Sequence, residues 1–147
     1  MGSPSAEVDS ETPFTDKDMI QFDYSYVTDG MSKAQSLYFY DDILVGYEFS
    51  SNFPDKNTFY DHKKVNEISV NETTRQQILA IFGNPDGKHI SPMVPENASY
   101  NEVYAYNKVT PGRVMYTFNI VSLYLVISYD ENDTVVDVFQ RNKIVDN

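Results

Sequence analysis

The chain has 147 residues, with 22 Asp and Glu against 11 Lys and Arg and a formal net charge of −11. It has no Cys, which excludes a disulfide framework, a thiolate zinc site and a Cys nucleophile. Its acidity argues against a nucleic-acid groove, because phosphate binding needs Lys and Arg to displace counterions.

The aromatic share of 14% argues against wholesale disorder, and about 150 residues suffice for one domain that buries roughly 68–70% of its unfolded surface. Residues 1–18 read as a flexible acidic leader with Met1-Gly2-Ser3 as an expression scar. Any signal peptide or lipid-bearing Cys would then lie upstream of Ser5. Residues 1–23 hold six acids and one Lys, so about half of the net charge sits in or near this tail. Residues 19–147 are expected to form a single domain.

The first elements follow period two. Phe22, Tyr24 and Tyr26 share one strand face, with Asp23 and Ser25 on the other. Asp29-Gly30 is a turn signal, and Leu37 to Tyr40 gives a second strand. After Asp41-Asp42, Ile43, Val45, Tyr47 and Phe49 alternate with Leu44, Gly46 and Glu48. Residues 19–52 thus form an N-terminal meander that needs a partner layer. Past Pro54 the period changes. Asp61 is placed as N-cap of a short helix over His62 to Ile68, with Tyr60 stapling onto Val65. Thr73-Thr74-Arg75-Gln76 fits a capping box led by Thr73, and Ile78, Ile81 and Phe82 form the helical stripe. Gly83 and Pro85 end that second helix.

Asn84 to Tyr100 is a long connection, and long connections are usually functional or mobile. Strands resume over Glu102 to Tyr106, Val114 to Tyr129 and Val135 to Phe139, with turns at Pro111-Gly112 and Asp130-Glu131-Asn132-Asp133. The predicted fold class is α+β, with a short helix pair packed on antiparallel sheet in the order βββ-αα-βββ. The two meanders also echo one another: Tyr24-Ser25-Tyr26 matches Tyr104-Ala105-Tyr106, and Tyr40-Asp41 matches Tyr129-Asp130. Chance similarity between aromatic strands explains this equally well.

Chemistry-bearing motifs are scarce. His62 starts a helix beside two Lys, and His89 sits in the long connection without a second ligand at metal spacing. There is no His-Glu-x-x-His, Gly-x-Ser-x-Gly or phosphate-cradling loop, so an enzyme would have to rest on His89. Asp130-x-Asn132 departs from a calcium loop at Thr134, Val135 and Arg141. The Asn-x-Ser/Thr triplets at Asn71, Asn97 and Asn132 matter only in a eukaryotic secretory pathway. The longest apolar stretch, Ile120 to Ile127, is far short of the ~20 residues of a membrane-spanning helix. No catalytic residue, cofactor or metal is expected.

The partner-binding candidates are His89, Ile90, Met93, Val94 and Tyr100 on the connection, because apolar groups there invite a partner or partial burial. Tyr104 and Tyr106, with Tyr24 and Tyr26, either line a recognition surface or pack between sheet and helices. Packing is the favoured reading.

From residue 61 to 141 the chain resembles the SmpA/OmlA (BamE-like) family of small bacterial outer-membrane lipoproteins. The matching residues are Val65-x-x-Ile68 and Thr73-Thr74-x-x-x-Ile78-x-x-x-Phe82-Gly83-x-Pro85. Val103-Tyr104-Ala105-Tyr106 and Leu125-Val126-Ile127-Ser128-Tyr129-Asp130 into Val135-Val136 complete the set. Departures are Asn71 in the inter-helix turn where Gly is frequent, Val103-Tyr104 where Trp is frequent, and Asn132-Asp133 where Gly is usual. The added N-terminal meander is similar to the tandem arrangement of β-lactamase inhibitor proteins. The resemblance implies a non-enzymatic, lipid-anchored protein on the periplasmic face of the outer membrane. Such a protein would bind protein partners, including outer-membrane assembly components, and would touch the membrane only through its anchor. The alternative is a secreted or periplasmic inhibitor that captures an enzyme. Exposed edge strands also allow a homodimer.

Overall fold

A computed structural model describes the backbone of residues 6–9 and 18–147, and side chains from residue 18 onward. The expected leader lies largely outside the described residues, but Ala6–Asp9 forms a strand, β1, paired with the next. The remaining strands are β2 (Met19–Thr28), β3 (Met31–Tyr40), β4 (Ile43–Ser51), β5 (Gly87–His89), β6 (Tyr100–Pro111), β7 (Phe118–Tyr129) and β8 (Val135–Val145). All eight join one antiparallel sheet in chain order. The β2–β3 and β3–β4 corners are two-residue turns whose central residues all have positive φ: Asp29 and Gly30, then Asp41 and Asp42. This conformation matches strand twist, and Asp and Gly tolerate it.

The expected βββ-αα-βββ arrangement with a helix pair does not form. Among the described residues there is one α-helix, α1 (Arg75–Phe82). The segment expected as its partner is a 3-10 helix over His62–Glu67. Asp61 does cap it, accepting from the Lys63 N–H, but the bonds that follow are i→i+3. The physical reason is that no residue of this turn is fully buried, so the partial packing of Val65 supplies less than a short α-helix needs in water. The long connection also contains a strand: β5 is only three residues long and bridges the two meanders into one sheet.

Register decides the two faces. Phe22, Leu37, Tyr47, Lys88, Glu102, Ile127 and Val138 lie in one row across the sheet. On this face α1 and the 3-10 turn cover the second meander. Ile78, Tyr60, Tyr104, Tyr106, Leu123, Leu125, Ile127, Tyr129 and Val135 form the main core there, with Val65, Ile68 and Phe82 packed against it. The opposite face carries a small cluster of Met19, Tyr38, Val45 and Met93. Beside that cluster the sheet is concave and open.

Asp86, just before β5, is held against the helix-covered face and accepts the Ala105 N–H at 3.1 Å. Burial pushes its carboxyl up to about 7, against an ordinary 3.8, and the Ala105 bond offsets only part of this. Between those values the folded chain keeps a proton that the unfolded chain has released. The contribution of this group to stability is therefore full below about pH 4 and is lost as pH rises through about 7. Asp86→Asn is expected to flatten that slope and to stabilise the protein at pH 8 by about 1–2 kcal/mol, a figure reduced for partial solvent screening. Urea melts at pH 5 and pH 8 check it, and an unchanged slope in the variant would refute it.

Candidate functional site

The concave face encloses a hollow of about 760 Å³. Three neighbouring rows explain why it is hollow. Gln21, Tyr38, Gly46, His89, Asn101, Ser128 and Asp137 form the first, and Asp23, Ser36, Glu48, Gly87, Val103, Val126 and Phe139 the second. In the third, Ala105 stands opposite Tyr124, itself opposite Arg141. Small residues in the lining, among them Ala34, Ser36, Ala105 and Ser128, leave space between the larger side chains of these rows. A Cβ on Gly46 would press on Met93 Sδ at 2.8 Å and His89 Cδ2 at 2.9 Å, so glycine is required where these side chains meet.

Glu48 is the centre of the polar wall. Its Oε1 accepts from His89 Nε2 at 2.8 Å and from the Tyr124 hydroxyl at 2.5 Å. The small Ala105 on β6 lets the Tyr124 ring reach over from β7. The Tyr38 hydroxyl lies beside Ser36 and Glu48, within reach of the Glu48 charge. Ser36 Oγ donates to Asp23 Oδ1 at 2.6 Å, and Gln21 Nε2 donates to the same carboxylate. Hydrogen bonds thus tie β2 to β3, and β4 to both β5 and β7. Burial first, and the Glu48 charge second, push the hydroxyls of Tyr38 and Tyr124 far above the ordinary phenol range, so both remain neutral donors. Arg141 lies over the Tyr124 ring with Cζ 5.5 Å from its centre, and Phe139 meets that ring edge-on. The hollow therefore offers carboxylates (Asp23, Glu48 and Asp137), several hydroxyls and one guanidinium.

The residues singled out from sequence go to different places. His89 is buried in the wall, bonded to Glu48, with its ring edge against Tyr38. Met93 is buried at the end of the hollow, held by the Asn101 side chain, which donates to its carbonyl. Ile90 is exposed, and Val94 and Tyr100 are half-buried. Tyr100 sits on the other face, stacked on Tyr129 and donating to Asp133. Tyr104 and Tyr106 are buried in the main core, on the face away from the hollow. Of the seven, only His89 and Met93 line the hollow. Tyr24 is half-buried, while Tyr26 is exposed beside Phe53 and Lys33.

Sequence reasoning passed over Glu48, Tyr124, Tyr38, Ser36, Asp23 and Arg141, having read the polar alternates as a solvent-facing side. The signal was present in the small residues placed among them, since a solvated sheet face has no need for Gly46, Gly87 and Ala105 in one patch. Among the described residues no group of three or more His, Asp and Glu could hold a metal ion, and no helix is long and apolar enough to cross a membrane.

By class, the molecule is an open, curved antiparallel sheet with one helix-covered face and one polar concavity. Comparison with family models, with curated proteins and with solved structures finds no match for this chain.

Proposed function

We propose that the protein is a non-enzymatic binding module that receives a loop of a partner protein in its concave sheet face. The observation that carries this reading is the hollow itself. Its wall is tied by hydrogen bonds that join β2 to β3 and β4 to β5 and β7, while small residues such as Ala34, Ser36, Ala105 and Ser128 leave room between its larger side chains. A wall fixed before binding lowers the ordering cost of association. The size suits a few inserted side chains, being within the roughly 300–1,000 Å³ of ordinary ligand pockets. The acidic lining favours a segment with basic or amide side chains.

Placement on the periplasmic face of the bacterial outer membrane, with a lipid anchor, rests on the resemblance of residues 61–141 to SmpA/OmlA lipoproteins. The resemblance is carried by residues of α1 and the closing strands, and the helix pair it implies does not form. An enzyme-capturing inhibitor would use the same face.

A photo-crosslinking residue at Ser36, inside the hollow, is expected to give one discrete protein adduct in a cell-envelope preparation. The same residue at Val70, on the exposed turn before α1, should give none. Equal labelling from both positions would sink the proposal. The identity of the adduct separates the two readings: an enzyme marks an inhibitor, and an assembly component marks an envelope scaffold.

A further inference from the structure

The β6–β7 hairpin ends in a turn that displays apolar side chains to solvent. Met115 is 77% exposed and Tyr116 is 92% exposed, and Val114 and Phe118 are also exposed. The turn is braced: Gly112 N–H donates to the Thr117 carbonyl, Thr117 N–H and Oγ1 both reach the Val114 carbonyl, and Asn147 Nδ2 donates to the Phe118 carbonyl. Tyr116 is held at φ +66°, a conformation rare for a bulky side chain and seldom kept without use. None of the described residues covers these side chains.

Charge tells what does. Residues 107–121 contain Lys108 and Arg113 and no acid, and the adjoining end of β8 adds Lys143 against Asp146. Register places Lys108, Val121 and Ile144 in one row, with Lys143 beside it opposite Ser122. A chain of net charge −11 thus gathers cations around its most exposed apolar turn. Apolar and aromatic groups ringed by Lys and Arg fit an anionic bilayer surface, where the rings enter the interface and the cations meet headgroups. A second copy of the chain fits poorly, because a two-fold contact would set these cations against each other, and one hairpin tip offers far less than the ~1,200 Å² of a stable interface.

We propose that the Val114–Phe118 turn inserts into the headgroup region of anionic lipid, orienting the molecule on the membrane whatever occupies the hollow. Because the chain has no Trp, Tyr116→Trp places a single fluorophore at the tip. With phosphatidylglycerol–phosphatidylcholine vesicles its emission is expected to shift to the blue and to be quenched by brominated acyl chains. Replacing Lys108, Arg113 and Lys143 together by Ser should weaken vesicle binding by about 100-fold, as expected when three cations leave an anionic surface. Met115→Ser with Tyr116→Ser should abolish binding of the otherwise natural chain in flotation, with its thermal melt unchanged. Emission that stays at the water-exposed wavelength, binding equal to phosphatidylcholine alone, or a dimer that the Met115→Ser/Tyr116→Ser change dissolves would each overturn the proposal.

Discussion

Glu48→Ala is expected to destabilise the protein by about 3 kcal/mol and to loosen the hollow before the rest of the sheet. Two donors converge on this carboxylate, His89 and Tyr124, and the Tyr38 hydroxyl lies near its charge. The His89 side chain is only 6% exposed and Glu48 itself 15%, so water cannot simply replace the lost acceptor. A buried donor left without its partner costs about 1–3 kcal/mol, and a bond to a charged group is stronger than a neutral one. The two losses are not additive, since they share one acceptor, which keeps the total near 3 rather than about 6 kcal/mol. Glu48→Gln retains a carbonyl oxygen and is expected to cost about half as much. Urea melts give the magnitude, and hydrogen exchange gives the location. The amides of β5 should lose protection first, because that short strand is held by Gly87–His89 pairing and by the His89 side chain. A cost below about 1 kcal/mol for Glu48→Ala would show that the carboxylate decorates the wall without holding it.

The elements that the sequence revealed are those whose signals are local. The second helix is announced by its cap and its stop, and α1 ends at Gly83 with φ +79°, as the glycine predicted. The cap itself is displaced by one residue, to Thr74 with Gln77. Thr73 is committed elsewhere: its Oγ1 accepts from Ser69 N–H and its carbonyl accepts from Val135 N–H, closing the turn onto β8. Two adjacent Thr offer the same local chemistry, and only the long-range pairing chooses between them. The strand expected from Val114 begins at Phe118 instead, because Val114 to Thr117 close a turn by hydrogen bonds that alternation does not encode.

Non-local features were hidden for a related reason. A three-residue strand such as β5 has too little pattern to be seen, and it exists because β4 and β6 pair with it on both sides. Alternation separates the two faces of every strand here, but it does not say which face a helix will cover. The aromatic face of the first meander was expected under helices. In the structure the helix lies over the second meander, and Tyr26 and Tyr47 stay exposed. The hollow arises only when rows from seven strands are laid side by side. Glu48 and Tyr124 are 76 residues apart, and nothing short of the register brings them together.

Arg75 presents the second large effect, because it is the partner of a carboxylate that the fold has placed out of water. Glu102 on β6 has a side chain only 3% exposed, and Arg75 at the start of α1 meets its Oε1 through Nε and Nη2, both at 2.8 Å. The Arg75 side chain is 36% exposed, so the attraction is partly screened and contributes less than a fully enclosed pair. Removing the cation alone strands the anion in the interface. For buried pairs that change costs about 3–5 kcal/mol, and allowing for the exposed Arg75 side, Arg75→Met is expected to cost about 2–4 kcal/mol. Replacing both partners, as Arg75→Met with Glu102→Leu, should recover most of the loss, since an apolar pair of similar volume needs no counter-charge. A double variant as unstable as Arg75→Met would mean that the loss does not come from the stranded Glu102 carboxylate. The pair also separates stability from binding. Glu102 faces the helix, whereas its neighbours Asn101 and Val103 belong to the rows of the hollow. At temperatures where Arg75→Met remains folded, crosslinking from Ser36 should therefore match the natural chain, whereas Glu48→Gln should reduce it while costing less stability.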